Sequence, residues 1–223
     1  MIKVGIVGAG FMGKMHASCY AAIPEAKLVA VADGRPEAAH EIADKQGAAV
    51  LDKAEKLFAS DVDLVDICLP TYLHAKYAIK AMQAGKHVMC EKPMALTFAD
   101  AKEMAKTARK TGVKFMVAHV IRFWPEYQLL KEYYDKKTLG KLLALSMTRV
   151  SPRPTWSWNN WLMIPPKSGA ALVDLHVHDA DFVRYLLGEP QSVDSVGTAK
   201  KGGWEYVFTQ YVYPNIAVSA EGG

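Results

Sequence analysis

Six short apolar runs, separated by helix-like segments, set the tightest limit on how this chain can fold. "KVGIVGAG" ends in glycines, and residues 13–22 read as a helix. "KLVAVAD" leads to "PEAAHEIADKQG", a helix closed by Gly47, and then to a short strand near Ala49–Leu51. "VDLVDICLP", "HVMC" and "KFMVAHV" follow, with the helices "HAKYAIKAMQAGK" and "TFADAKEMAKTARKTG" between them. Thr97 is a capping residue for the second of these and Gly112 its terminator. Strands that are apolar along their whole length are buried on both faces. The expectation is an α/β fold: a doubly wound parallel sheet over residues 1–120, with helices on either side.

Near Val120 the rhythm changes. "PEYQLLKEYYDKKTLG" reads as a helix and "LLALSMTRV" as a longer strand, followed by the aromatic, proline-rich loop "SPRPTWSWNNWLMIPP". "SGAALVDLHVHDADFVRYLLG" reads as one helix ended by Gly188, and "SVDSVGTAKK", "WEYVFTQYVY" and "IAVSAEGG" as antiparallel strands. Residues 121–223 are therefore expected to form an α+β domain on an open, mostly antiparallel sheet. The chain stops at "SAEGG", which reads as a strand edge. An unfinished edge exposes backbone groups, so further sequence or a partner subunit is expected to cover it.

Composition excludes several classes of function. Of 223 residues 51% are hydrophobic and 22% charged, enough for a sizeable core and too apolar for a disordered chain. The net charge of +4 is spread along the sequence, without the basic run of a nucleic-acid binder. No apolar run reaches membrane-spanning length. Cys19, Cys68 and Cys90 form no CxxC pair, and two of them lie in apolar strands. Reduced, buried thiols point to a cytoplasmic protein.

Gly8, Gly10 and Gly13 stand at G-x-G-x-x-G spacing between a strand and a helix, the context in which that spacing cradles a dinucleotide. The first glycine permits the turn, the second lets backbone approach a pyrophosphate, and the third lets the helix pack close with its N-terminus toward the anion. Asp33 lies twenty residues past Gly13, where a carboxylate binds the ribose and repels a 2′-phosphate. That favours NAD over NADP. Arg35 leaves NADP open, because a guanidinium could pair with that phosphate or stack on adenine.

Lys92 follows the strand "HVMC" in Glu91-Lys92-Pro93. Ligands of open α/β sheets lie beyond the carboxyl ends of strands, so Lys92 is either a group for a reacting oxygen or a solvated strand-end lysine. In "DLHVHDADF", Asp174 and His178 are four residues apart, about 40° on an α-helix, and would share a face. His176 and His178 would point to opposite sides, which argues against a two-histidine metal site. A carboxylate beside an imidazole suits proton transfer, or else a structural hydrogen bond. His176, Asp179 and Asp181 read as structural. Trp156, Trp158 and Trp161 offer faces for a sugar ring, or serve as core or contact residues.

Taken together, "GIVGAGFMGKMHA", "VDICLPTYLHAKYAIKAMQAGKHVMCEKPMALT", "HVIRFWPEY" and "SGAALVDLHVHDADFVRYLLG" resemble the glucose–fructose oxidoreductase/inositol dehydrogenase (Gfo/Idh/MocA) family, in the family's order and over almost the whole chain. The resemblance implies a Rossmann domain and a second domain whose sheet makes homo-oligomer contacts. It implies Lys92, Asp174 and His178 as catalytic residues. Phe11, Met12, Asp33, Arg35, Pro70, Thr71, His74, Glu91 and Lys92 fall at positions that line the cofactor, and Arg122 and Asn159 at positions that contact substrate. The sequence departs from the family at Ser168-Gly169, where a glycine pair is frequent, and at His176, where a glycine is frequent; family members are also longer. The activity implied is NAD(P)-dependent oxidation of a sugar or polyol. The rivals are a member that keeps its NAD and uses it transiently, or a dinucleotide sensor without catalysis.

Overall fold

The computed structural model describes residues 1–200 and 202–223. The chain divides into two units. Met1–Ala118 and Trp156–Trp161 form the first, and His119–Thr155 and Leu162–Gly223 the second. The tryptophan loop therefore groups with the first unit rather than with the sequence that flanks it.

The first unit holds six parallel strands: β1 (Ile2–Val7), β2 (Ala26–Ala32), β3 (Ala49–Leu51), β4 (Leu64–Ile67), β5 (His87–Cys90) and β6 (Phe115–Val117). Their order is β3-β2-β1-β4-β5-β6, so the winding reverses between β1 and β4. The connecting helices are α1 (Phe11–Ala21), α2 (Pro36–Gln46), α3 (Ala54–Phe58), α4 (His74–Gln83) and α5 (Phe98–Thr111). Thr97 caps α5 by accepting from the Asp100 N–H, and Gly112 ends it with φ 72°.

The sheet is covered on both faces. Val65 and Ile67 pack with Leu57, Met82 and Met104 on one side. Val4 and Ile6 pack with Ala17, Tyr20, Ala39 and Ile42 on the other. Side chains alternate along a strand, so Asp66, between Val65 and Ile67, points toward the α1 side.

Register then fixes which residues meet at the carboxyl edge. Val7 pairs with Ala32 of β2 and with Ile67 of β4, and Ile67 pairs with Cys90 of β5. The residues that follow, Gly8, Asp33, Cys68 and Glu91, consequently line up along one edge.

The second unit contains α6 (Pro125–Lys136), β7 (Ala144–Arg149), α7 (Pro165–Ser168), α8 (Val177–Leu187), β8 (Ser192–Lys200), β9 (Gly203–Tyr213) and β10 (Ile216–Gly222). The sheet order is β7-β10-β9-β8. β9 is antiparallel to both neighbours, whereas β10 and β7 are parallel. The last strand is thus an inner one, bonded on both sides, which corrects the reading of "SAEGG" as a sheet edge; the edges are β7 and β8. Val183 of α8 packs with Tyr211, Val218 and Ala220, covering one face of the sheet.

Candidate functional site

The glycine loop is tight where the chain requires it and open where a ligand would. Gly8 has φ 103°, and a Cβ there would stand 2.5 Å from the Cys68 carbonyl oxygen. A Cβ on Gly13 would stand 2.0 Å from the Gly8 carbonyl oxygen, so α1 approaches the turn as only glycine allows. A Cβ on Gly10 would meet nothing within 4 Å. α1 has no side-chain cap and no acidic residue in its first turn. Its leading N–H groups and dipole favour an anion, and the bare backbone at Gly10 leaves space for one. Phe11 is exposed beside this loop and packs against Trp156, with ring centroids 4.9 Å apart. Met12 packs partly buried against the core on the α1 side.

Asp33 braces the loop. Its Oδ2 accepts from the Ala9 N–H at 2.7 Å and its Oδ1 from the Arg35 N–H at 2.8 Å. The Arg35 guanidinium turns back on the same carboxylate, with Nε 3.2 Å from Oδ1, and lies 5.3 Å from the Trp158 ring centroid. Arg35 is therefore held by Asp33 and an aromatic face.

Beyond β4, Pro70 is partly exposed, while Thr71 and His74 are buried at 2% and 1% exposure. His74 ties two loops together: its Nδ1 lies 2.8 Å from the Pro93 carbonyl oxygen and its Nε2 2.8 Å from that of Leu69. It connects the loop after β4 to the loop that carries Lys92, from beneath the surface. Lys92 is partly exposed, is joined to Pro93 by a cis peptide bond, and donates its backbone N–H to Glu91 Oε2 at 3.0 Å.

The sequence reading passed over the residues under this edge. His16 of α1 stands between two carboxylates, with Nδ1 2.8 Å from Asp66 Oδ2 and Nε2 3.0 Å from Glu91 Oε1. Asp66 is fully buried and also accepts from the Tyr20 hydroxyl at 2.9 Å. Burial opposes a charge on His16, but the carboxylates outweigh it and hold its pKa up to about 10. Burial likewise works against ionised Glu91, and His16 and Lys92 overcome it, keeping its pKa below the usual carboxylate value. Burial, reinforced by Asp66 and Glu91, pushes the Cys68 thiol up. Two signals could have found this cluster. His16 and Tyr20 are four residues apart on α1 and share a face, and Asp66 is a carboxylate inside an apolar strand.

In the second unit, the expected single helix from Ser168 is interrupted. Gly169 ends α7 with φ 75°, Ala170 adopts φ 54° and ψ −158°, and Ala171–Leu175 winds as a π-helix. The His176 N–H donates to the Ala171 carbonyl at 2.8 Å, five residues back. Asp174 lies in this wide turn and His178 in the first turn of α8, both partly buried. The 40° separation of a regular α-helix therefore does not apply to them. Ser168, where a glycine pair was expected, is fully buried; its hydroxyl donates to the Leu162 carbonyl and accepts from the Ala170 N–H.

The neighbouring polar residues are tied into the fold. His176 Nε2 lies 2.9 Å from the Thr209 hydroxyl, and Asp179 accepts from Arg149 Nε at 3.0 Å. Asp181 accepts from Arg122 Nε at 2.7 Å, and that guanidinium lies 4.7 Å from the Tyr185 ring centroid. The Arg122 fork is thus engaged within its own unit. Asn159 has φ 50° on the tryptophan loop, which belongs to the first unit, where Trp156 and Trp158 are 61% and 50% exposed rather than in the core. A cavity of about 310 Å³ in the second unit is lined by Tyr127, Leu130, Met147 and Asp179, and by none of the site residues expected from the sequence.

Comparison with known proteins gives two family matches. Residues 2–119 match the "Oxidoreductase family, NAD-binding Rossmann fold", and residues 127–219 the "GFO/IDH/MocA C-terminal domain". Levoglucosan dehydrogenase of Pseudarthrobacter phenanthrenivorans is 34% identical over 210 residues, 87% of this chain and 53% of that protein. Inositol 2-dehydrogenase of Rhizobium meliloti is 35% identical over 200 residues, 86% of this chain and 57% of its own. A 2,7-anhydro-N-acetylneuraminate hydratase of Escherichia coli is 33% identical, over 88% of this chain and 53% of that protein. A solved levoglucosan dehydrogenase in complex with NADH and levoglucosan superposes with a TM-score of 0.89 at 31% identity, covering 99% of this chain and 66% of that one. The chain spans little more than half the length of these curated relatives.

Proposed function

Because the chain belongs to the Gfo/Idh/MocA oxidoreductase family, we propose that it acts as an NAD-dependent dehydrogenase on a sugar or polyol hydroxyl. One observation carries the reading. A glycine loop with open space at Gly10, an uncapped helix N-terminus, Asp33 and the Glu91-Lys92 loop all lie along one carboxyl edge of one parallel sheet. That edge, at the reversal of strand order, is where such sheets bind dinucleotides.

The backbone of Gly8–Gly13 and the α1 N-terminus hold the pyrophosphate, and Asp33 accepts from the adenosine ribose. Phe11, Met12, Pro70, Thr71 and His74 shape or support the walls. Asp33 also disfavours a 2′-phosphate, and Arg35, already bound to Asp33 and beside Trp158, is poorly placed to welcome one. A bound NAD would supply the hydride acceptor for the substrate carbon. Lys92 donates to the reacting oxygen, His178 takes the hydroxyl proton, and Asp174 orients His178 and stabilises its imidazolium. Arg122 and Asn159 stand as substrate contacts, Arg122 only after loosening from Asp181.

In the second unit, the face of the sheet away from α8 leaves Phe208, Val212 and Val196 39%, 42% and 61% exposed. This face is the surface through which copies of the chain would associate, and sedimentation would read it as a dimer or larger. The hydratase among the relatives favours a second reading, in which the cofactor is retained and used transiently. Stoichiometric NADH release during turnover separates the two. Lys92→Ala is the direct test: NADH binding within threefold of wild type with turnover on a polyol panel abolished supports the assignment. Unchanged turnover removes Lys92 from the chemistry.

A further inference from the structure

The cluster beneath the carboxyl edge has a form that cofactor binding alone does not require. Both ring nitrogens of His16 face carboxylates, Asp66 at 2.8 Å and Glu91 at 3.0 Å. The three side chains are 13%, 0% and 9% exposed, so water does little to screen them. With a carboxylate rather than a neutral carbonyl at each nitrogen, the ring meets both by donating from both, as imidazolium. Asp66 takes two further donors, the Tyr20 hydroxyl at 2.9 Å and the Cys68 thiol at 3.5 Å. The other oxygen of Glu91 accepts the backbone N–H of Lys92 at 3.0 Å. An unbroken path thus runs from the buried strand β4, through the helix behind the glycine loop, to the backbone of Lys92.

The donor atoms of His16, Asp66 and Cys68 lie within 4.8 Å of one another, a spacing that a cation could also use. The geometry favours a proton. Ligand atoms about 2.0 Å from a tetrahedral ion stand about 3.3 Å apart, farther than the 2.8 Å between His16 Nδ1 and Asp66. The thiol is pushed up by burial, which works against the thiolate that a metal would need.

We propose that His16 is a positioning residue: a partly buried cation, shared by Asp66 and Glu91, that fixes the Glu91 carboxylate and through it the Lys92 backbone, so that the glycine-loop helix and the lysine loop hold one geometry. The clamp stands on these contacts; its consequence for catalysis rests on the reading of Lys92 given above. Its reach is local, because Glu91 contacts the Lys92 amide directly, whereas the inner strands are held by their own ladders.

The test uses the full chain and needs no substrate. Nitrogen-15 spectra at pH 8 are expected to show both His16 ring nitrogens protonated and unmoved by added zinc. A neutral ring, or a ring nitrogen that zinc shifts, overturns the clamp. Amide exchange at Lys92 is expected to rise at least tenfold in His16→Gln while the amides of β1 stay within twofold of wild type. His16→Arg, which keeps the charge, should bring Lys92 back to within threefold. Exchange that rises equally at Lys92 and in β1 means that His16 only stabilises the fold, and exchange that does not change means that it holds nothing; either result sinks the proposal. If His16→Gln does not fold, Glu91→Gln weakens the other end of the clamp and should show the same selective rise. Should the clamp pass and Lys92→Ala keep its turnover, the clamp stands and the catalytic reading of Lys92 falls.

Discussion

The two units place their candidate residues by opposite means. In the first, sheet register does it: Gly8, Asp33, Cys68 and Glu91 each follow a strand and meet at one edge because the strands are aligned. In the second, an interruption does it: Asp174 lies in, and His178 just after, a π-turn that begins from Ala170 in a region of backbone space disfavoured for all but glycine. Where placement comes from a regular ladder, a change at a site residue packed against that ladder is felt by the fold, and one that faces open space is not. Where it comes from a local strain, relieving the strain should stabilise the fold and disturb the site.

The sharpest way to break this contrast lies in the glycine loop. Gly13→Ala forces a methyl to 2.0 Å from the Gly8 carbonyl, and the expected cost is about 3 kcal/mol in urea unfolding, with NADH binding lost as well. A loss below about 0.5 kcal/mol would show that α1 does not depend on this approach.

The partly buried cation at His16 gives a pH signature that the second unit should lack. His16 carries a raised pKa when folded, so its contribution is full below its unfolded value of 6.5 and is lost as the pH rises through about 10. The imidazole's share of stability should fall by about 2 kcal/mol between pH 7 and pH 9, so the slope should be shallower in His16→Gln, leaving the part that the buried Cys68 and Cys90 thiols contribute with the same sign. The groups facing His16 are Asp66, Glu91 and the Cys68 thiol, and Glu91 titrates with it, so the comparison with His16→Gln reads the cluster that His16 holds rather than the imidazole alone.

In the second unit, Ala170→Gly removes the strain of a positive φ. It should raise stability by about 1 kcal/mol, seen as a higher unfolding midpoint. A loss would mean that Ala170 is not strained and that the contrast between the units fails. The smallest effect on the fold is expected at Gly10→Ala, where a methyl meets nothing within 4 Å. Stability should change by less than about 0.5 kcal/mol, while NADH affinity drops at least tenfold.

The same contrast explains what the sequence could tell. Strand-ending glycines, Asp33 and Glu91-Lys92 were legible because apolar runs mark parallel strands and their ends mark one edge. The caps Thr97 and Gly112 were equally plain. The parallel pairing of β10 with β7 was not, because pairing partners far apart in sequence leave no local mark. The π-turn was hidden for another reason. Ala170 and Ala171 are good helix formers and give no local sign of a break, and the closeness of the turn shows only in the structure, where a Cβ on Gly169 would stand 2.3 Å from the Val173 Cβ. His16 was missed because one residue of the clamp says little until Asp66 and Glu91 are seen around it.

The most direct test of the account is a parallel fluorescence titration of the chain with NADH and NADPH, repeated on Gly10→Ala. The account predicts saturable binding that prefers NADH and is weakened at least tenfold by the added methyl. Binding that prefers NADPH would contradict the roles given to Asp33 and Arg35, and binding indifferent to Gly10→Ala would contradict the placement of the dinucleotide on this edge.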